Sequence, residues 1–506
     1  MVKYLYGAAV QGIQSFIFQT NRLKEIVGAS ELIEQICTSK FRDIVGANYS
    51  EYEEGNGYGA ILHAAGNIKY VFNDEAECER IVRIFPKIIS EFAPGITISQ
   101  AVVVMEEEYA TFPIAVNELE RRLRIQRNRP TRSATLGMMG IERSRQTGLP
   151  GIEKISKHDN TIVIDAATKA KLKMLKQAEY ELSKSLCNKA FGLKLIKSEQ
   201  VAYDIEKITC NNDWIAIVHA DGNGLGQIVQ AIGKDPNRFH EFSASLDKAT
   251  KAAAVTAYNA VKCYFNESEF IPIRPVVLSG DDFTVICQAE IALDYVGAFI
   301  SAFEDETNKL NLKGLSFDHL TACAGVAFIK SSFPFYYGYE LAEALCSSAK
   351  KDAKKDLNDG ELPKSCLMFH KVQDSFTENW DDIVKRELTP QENISFEFGP
   401  YYIKEVKDER RWLLKDLIQA SKQLGSKEGN AVKSHLRKWM SLLHDNPEMA
   451  KQHLDRLKSL LNKGVLLNLV EAVTKGERLA DNSIVYPVYD ILALHTINSQ
   501  ITKKKK

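Results

Sequence analysis

Trp214-Ile215-Ala216-Ile217-Val218-His219-Ala220-Asp221-Gly222-Asn223-Gly224 is an apolar run that ends in an acidic residue beside glycines. Further on, Pro275-Val276-Val277-Leu278-Ser279-Gly280-Asp281-Asp282-Phe283-Thr284-Val285-Ile286-Cys287 repeats the theme, and its Gly-containing turn leads straight into another apolar run. Runs of this length and composition read as strands. If the strands are neighbours, Asp221, Asp281 and Asp282 meet at one edge of a sheet. Anions packed together repel, by about 4 kcal/mol per close pair at an effective dielectric of 20, unless a cation joins them. The hard cations that prefer oxygen donors are Mg²⁺ and Mn²⁺. Two such ions held together are a device for nucleotidyl transfer.

Each stretch taken alone has a plainer reading. Gly280-Asp281-Asp282 suits an ordinary hairpin turn, and Asp221 suits the N-cap of a helix beginning near Gly224. The combination favours chemistry, because both sites follow strongly apolar strands in an order that fits one compact unit.

Around these stretches the pattern reads as a strand at about 213–220, a helix at 239–265 and hairpin strands at 272–279 and 283–288. A helix at about 290–310, a strand at 319–329, a helix at 338–356 and a short strand near 365–371 follow. That βαββαβαβ order implies a sheet with helices covering one face. The same order starts at Tyr4-Leu5-Tyr6-Gly7-Ala8-Ala9-Val10-Gln11, with a helix at about 21–46, a hairpin from Ala60 to Phe72, a helix at 75–92, a strand at 96–106 and a helix at 112–127. Aligning the two units sets Ala65-Gly66-Asn67 against Gly280-Asp281-Asp282 and Gln11 against Asp221. The architecture is duplicated while the acidic residues are not. The first unit then either shapes a nucleotide pocket across a shared face or serves only as a packing partner.

The 506 residues are too many for one ordinary core, so three or more domains are expected. With 45% hydrophobic and 26% charged residues the composition is that of a soluble globular protein. No apolar run is long enough to span a membrane, and no signal-peptide pattern opens the chain. The nine cysteines are scattered without a C-x-x-C pair, which fits a reduced, cytoplasmic protein; Cys210, Cys287 and Cys323 read as small hydrophobes. His158-Asp159 and His444-Asp445 read as surface features. A net charge of −1 confines any nucleic-acid contact to local patches, of which Arg121, Arg122, Arg124, Arg127, Arg129 and Arg132 are the densest. A solvated helix face is the commoner meaning of such a run. Segment 128–212 reads as a linker whose 166–187 part is helical. Beyond about 375, amphipathic segments at 404–424, 428–445, 447–463 and 464–476 read as a helical bundle, with Lys503 to Lys506 as a basic tail.

Asp221-Gly222-Asn223 and Ser279-Gly280-Asp281-Asp282 resemble the active palm of the large polymerase-cyclase subunit of type III CRISPR effector complexes. In that family the first of two palms is degenerate and the second carries a Gly-Gly-Asp-Asp hairpin. Gly12-Ile13-Gln14-Ser15-Phe16-Ile17-Phe18 and Val27-Gly28-Ala29-Ser30 resemble the start of the family's first palm, and Thr321-Ala322-Cys323-Ala324-Gly325-Val326-Ala327 and Ala349-Lys350-Lys351 resemble the later strand and helix of its second. The resemblance implies an α+β fold with two ferredoxin-like palm (polymerase/cyclase) domains. The expected division is a degenerate first palm at 1–127, a helical linker at 128–212, a catalytic palm at 213–374 and a C-terminal helical bundle at 375–506. Ser279 replaces the hairpin's first glycine. The family's HD nuclease domain does not precede the first palm, so DNA cleavage is not expected. The zinc-binding cysteines often found between the palms are missing around Arg145-Gln146-Thr147-Gly148-Leu149-Pro150, which leaves open an ordinary complex subunit or a divergent stand-alone relative.

The resemblance further implies ATP as substrate and a cyclic oligoadenylate as product, made in antiviral defence with guide or target RNA and other effector-complex subunits as partners. The residues themselves support nucleotidyl transfer. Asp221 and Asp282 are assigned as bridging ligands of two Mg²⁺ or Mn²⁺ ions, with Asp281 as the third carboxylate. Backbone N–H groups of Gly222, Asn223 and Gly224 are placed to face phosphate at a helix start, while Ser279 and Gly280 permit close approach of a nucleotide. The family pattern suggests that Lys350 reaches the triphosphate, and by resemblance alone Ser30 touches a second nucleotide. Two alternatives remain: a stand-alone cyclic-dinucleotide synthase, and a non-catalytic scaffold that binds RNA.

Overall fold

The computed structural model describes residues 2–498 apart from 54–55, 65, 107–110, 130–138, 158–159, 181–184, 193–199, 210–212, 233–234, 266–269, 311, 313–316, 356, 359, 375–378, 407, 462–463 and 480–481. Ala65, Arg132, His158-Asp159, Cys210 and the Lys503–Lys506 tail therefore lie outside the described residues.

The first unit runs β1 (Tyr4–Gln11), α1 (Ile13–Ile17), α2 (Leu23–Gln35), α3 (Phe41–Val45), β2 (Gly59–Ala64), β3 (Asn67–Phe72), α4 (Glu75–Phe92), β4 (Thr97–Val104) and α5 (Phe112–Arg127). Its four strands form an antiparallel sheet in the order β2-β3-β1-β4. Alternation along the strands sends side chains to opposite faces. Tyr6, Ile68, Tyr70 and Phe72 join the main core with Ile81, Phe85 and Ile89 of α4. Leu5, Val71, Ala101 and Val103 pack on the other side against Ala115, Leu119 and Leu123 of α5. The expectation of helices on one face only is thus corrected, because the odd and even residues of β1 are both apolar.

Between the units lie a hairpin, β5 (Gly151–Lys157) and β6 (Asn160–Asp165), and the helices α6 (Ala166–Tyr180), α7 (Leu186–Phe191) and α8 (Ile205–Thr209). The segment read as helical thus also contains strands. From α6, the buried Lys171 donates to Phe16 O at 2.7 Å, and its ammonium lies 4.2 Å from the centre of the Phe16 ring.

The second unit runs β7 (Trp214–Gly222), α9 (Leu225–Ile232), α10 (Pro236–Val261), β8 (Ile273–Ser279), β9 (Asp282–Gln288), α11 (Ala292–Thr307), β10 (Ala322–Lys330), α12 (Phe335–Ala353) and β11 (Cys366–Lys371). Its sheet has the order β13-β11-β10-β7-β9-β8, with β13 (Tyr401–Tyr402) supplied from further along the chain. β7 is central, which explains a run that is apolar but for His219: Trp214 to Ala220 are all buried. Both faces are covered here too. Phe283 stacks on Phe299 of α11 with ring centres 3.9 Å apart, whereas His219 meets Tyr339 of α12 edge to face. The units share one continuous core, into which Phe18 of the first brings a ring stacked at 4.7 Å on Tyr339 of the second.

The chain ends in α13 (Trp380–Ile383), β12 (Ile394–Ser395), α14 (Leu414–Leu424), α15 (Gly429–Asp445), α16 (Pro447–Leu460), α17 (Val465–Thr474), β14 (Glu477–Arg478), β15 (Ile484–Val485) and α18 (Val488–Asn498). A small sheet of order β12-β15-β14 accompanies the helices. The described residues of 404–413, read as the start of a helix, are not helical. α18 is buried over most of its surface, and its Asp490 accepts from Tyr401 Oη at 2.6 Å, tying it to the sheet edge. Burial pushes the Asp490 carboxyl up to about 7, against the opposing effect of that hydrogen bond. An acid raised in the fold stabilises it fully below its unfolded pKa near 4, and that contribution is lost as pH rises through 7. Asp490→Asn is therefore expected to gain on the parent protein by on the order of 2 kcal/mol between pH 5 and pH 8. Urea unfolding at the two pH values measures this, and a pH-independent difference would reject it.

Candidate functional site

Register brings the acidic residues together. Ala220 of β7 faces Phe283 of β9, and Ser279 of β8 faces Asp282, so Asp221 and Asp282 end neighbouring strands with Asp281 in the turn between β8 and β9. Gly280 takes φ 62° in that turn, and its carbonyl accepts from Thr250 Oγ1 on α10. Gly222 is required by proximity: a Cβ there would lie 2.7 Å from Asp281 Cβ.

The electrostatics follow from this crowding. Burial, then the charges of Asp221 and Asp282, push Asp281 up to about 7. Burial and Asp221 push Asp282 up to about 6, with Lys350 pulling the other way and Glu343 adding to the rise. Lys350 of α12 is the cation of the group. Its Nζ pairs with Asp221 Oδ2 and donates to Gly222 O at 3.0 Å. Although burial opposes its charge, the bond to Asp221 holds Lys350 above its ordinary range.

Among the described residues, no group of three or more His, Cys, Asp or Glu side chains is placed to hold a metal ion. Asp221 holds an ammonium instead. The donor set nonetheless fits hard divalent ions: it is three carboxylates, two of them raised by burial and then by the charge of Asp221. His219 lies behind Asp221, but its ring nitrogen is engaged with Thr284 Oγ1 at 3.1 Å, and burial depresses it to about 4.

The glycine-rich turn is tied down rather than open at every amide. Asn223 N donates to Thr321 O at 2.8 Å, so this N–H of the expected phosphate-facing set is already used. Its side-chain amide donates to Thr321 Oγ1 at 3.1 Å and to Cys323 Sγ at 3.4 Å. Asn223 Oδ1 is buried with no partner among the described residues. Gly224 takes φ 89° just before α9.

Ser30 lies across from the carboxylates. It is buried on α2 and donates to Val276 O on β8, binding the two units together. A cavity between the units is lined by Ser30, Gln14 and Gly66 of the first and by Val276, Ser279 and Asp282 of the second. The first unit is thus both a packing partner and a wall of the cleft into which Asp282 faces. Sequence reasoning missed Thr250 and Glu343. Glu343 lies seven residues before Lys350 on the same helix, a spacing of two turns that was available as a signal.

The arginine run divides. Arg121 and Arg122 both grip Glu118, and Arg122 also donates to Val102 O at 2.6 Å, so these two brace α5. Arg124, Arg127 and Arg129 are exposed. No helix among the described residues is long and apolar enough to cross a membrane.

The family model described as Cas10/Cmr2, second palm domain, matches residues 214–358. Among solved structures, the crystal structure of a Csm1-Csm4 cassette in complex with pppApApA matches with a TM-score of 0.58 at 12% identity, covering 98% of this chain and 69% of that one. The cassette in complex with cA4 gives 0.57 at 12% identity, covering 98% and 70%, and the apo cassette gives 0.55 at 13%, covering 98% and 70%. At these identities the likeness establishes the fold. No curated protein matches this chain.

Proposed function

We propose that this chain, whose residues 214–358 form a Cas10/Cmr2-type second palm domain and which has the Csm1 fold along nearly its whole length, is a metal-dependent nucleotidyltransferase. It joins ATP into cyclic oligoadenylate-type messengers, as a cytoplasmic subunit of a type III CRISPR antiviral complex. One observation carries this reading: Asp221, Asp281, Asp282 and Lys350 crowd one sheet edge, and Asp282 opens into the cleft that Ser30 and Gly66 also line. We assign a degenerate first palm to 1–127, a linker to 128–212, the catalytic palm to 213–374 and a C-terminal helical part to 375–506. Csm1-Csm4 cassettes solved with AMPPNP and with cA3 support ATP as substrate and a Csm4-like subunit as partner, alongside guide or target RNA.

Asp221, Asp281 and Asp282 would hold two Mg²⁺ or Mn²⁺ ions, which when bound acidify an attacking 3′-hydroxyl and neutralise the leaving pyrophosphate. The chain's own residues do the rest. Asp281 and Asp282, raised by burial and by the charge of Asp221, would serve as oxygen ligands in their ionised form. Lys350, whose ammonium pairs with Asp221 beside the glycine-rich turn, would offer that ammonium to the triphosphate as a mobile point charge. Thr250 fixes the hairpin by its bond to Gly280 O, so the carboxylates need not reorganise during reaction. Asn223 anchors the turn after Asp221 through Thr321, leaving the amides of Gly222 and Gly224 as the phosphate contacts. Ser30, Ser279 and Gly280 line the seat of a second nucleotide, held between unlike units of one chain. That asymmetry favours this reading over a cyclase built from two identical units.

The test is to incubate the chain with ATP and Mn²⁺, alone and assembled with its complex subunits and RNA, and to separate the products. Pyrophosphate release together with oligoadenylates is expected. Absence of pyrophosphate in both arms would reject the enzyme and leave the RNA-binding scaffold.

A further inference from the structure

Behind the acidic edge lies a feature that nucleotidyl transfer does not use. Cys323 of β10 and Cys366 of β11 are register partners on adjacent parallel strands, both fully buried, with their sulfurs 3.7 Å apart. Neither belongs to a disulfide. Each sulfur also touches a group that positions the carboxylates. Cys323 faces Asp221 across the β7–β10 ladder, and its Sγ accepts from Asn223 Nδ2 at 3.4 Å. Cys366 Sγ lies 3.6 Å from Ala349 O, the residue before Lys350. A third thiol, Cys346, donates to Cys323 O at 3.2 Å and braces the strand from α12.

We propose that Cys323 and Cys366 are an oxidisable thiol pair, which a hydroperoxide converts to a disulfide directly beneath the Asp221–Lys350 pair, displacing the turn that carries Asp221. Disulfides require sulfurs about 2.05 Å apart and strands near enough to present them. The two cysteines are register partners on adjacent strands, and bond formation must close their sulfurs from 3.7 Å to about 2.05 Å. Cys323 is taken as the attacking sulfur, because its Sγ already accepts from Asn223 Nδ2 at 3.4 Å and faces Cys366 Sγ at 3.7 Å. In the first step that sulfur attacks the peroxide, the O–O bond breaks, and a sulfenic acid and one water result. In the second, Cys366 sulfur attacks the sulfenic sulfur, the S–O bond breaks and a second water leaves. Two thiols are oxidised by two electrons while hydrogen peroxide is reduced to two waters.

Forming the bond draws Cys323 Sγ toward β11 and away from Asn223. It also removes the Cys366 proton from the neighbourhood of Ala349 O. Both changes loosen the segment 220–224 and the turn of α12 around Lys350. The inference stands on the sulfur geometry and does not need ATP turnover.

The experiment treats the full-length, metal-free protein with hydrogen peroxide, quenches it, alkylates the remaining thiols and maps the peptides by mass spectrometry. A Cys323–Cys366 cross-link that dithiothreitol reverses is expected. Amide exchange over 220–224 is expected to rise severalfold on oxidation, and in neither Cys366→Ser nor Cys366→Ala. The proposal is overturned if the exposed Cys263 oxidises while Cys323 and Cys366 stay reduced, if Cys323 pairs with Cys346 instead, or if the disulfide forms and exchange over 220–224 does not move.

Discussion

Asp281→Ala combined with Asp282→Ala removes pyrophosphate release from ATP by at least about 100-fold, a loss of roughly 2.7 kcal/mol of transition-state stabilisation, while the metal-free protein becomes no less stable. The two halves of this outcome come from the same geometry. In the parent protein the two carboxylates are half-buried beside Asp221, and burial first, then repulsion from Asp221, already raises both. Deleting them relieves that repulsion, so the cost to the fold is small or negative. Adding Mn²⁺ is expected to raise the melting temperature of the parent and to leave that of the variant unchanged, because binding to the native state alone stabilises by mass action. Calorimetry with and without Mn²⁺, beside the ATP assay, measures both. A variant that loses turnover only because it melts many degrees lower would assign the pair to folding instead of chemistry.

Gly325→Ala costs about 3 kcal/mol of stability, the upper part of the range for overpacking, and lowers turnover by more than tenfold. A Cβ at position 325 of β10 would lie 1.9 Å from Ala342 O and 2.6 Å from Cys346 N. Both are backbone atoms of α12, and backbone cannot rotate aside as a flexible side chain can. The helix must lift from the sheet, carrying Lys350 away from Asp221 and Gly222 O. Gly226→Ala is the matched control, since a Cβ there meets nothing within 4 Å and its helical backbone accepts alanine. Urea unfolding of the two variants separates the cases. Equal stability of Gly325→Ala and Gly226→Ala would mean that α12 is not docked by close approach at β10.

Much of the fold was legible because it rests on local periodicity. The central position of β7 was written in Trp214 to Ala220, seven consecutive buried residues, apolar but for His219, a run that suits a strand covered on both faces. The βαββαβα order of the first unit and the βαββαβαβ order of the second are observed in the structure. What failed were features set by distant packing. Helices were expected on one sheet face, but Leu5 and Tyr6 point to opposite sides and both are buried, so α5 closes the second face. The short strands β12, β14 and β15 carry two residues each and leave no periodic signal. β13 joins the palm sheet from about thirty residues beyond β11, a pairing no local window contains.

The candidate site divides in the same way. Sequence alone placed Asp221 after one strand and Asp281-Asp282 in a hairpin, since apolar runs ending in Asp and Gly are local facts. Tertiary structure decided which partners those residues have. It set Lys350 on Asp221, Gly222 against Asp281, Thr250 on the Gly280 carbonyl and Ser30 on Val276 across the unit boundary. It also spent the Asn223 amide on Thr321, which the glycine-rich turn gave no means to foresee. The physical reason is one of range: strand and turn propensities act over a few residues, whereas charge pairing and van der Waals exclusion act through space between elements far apart in the chain.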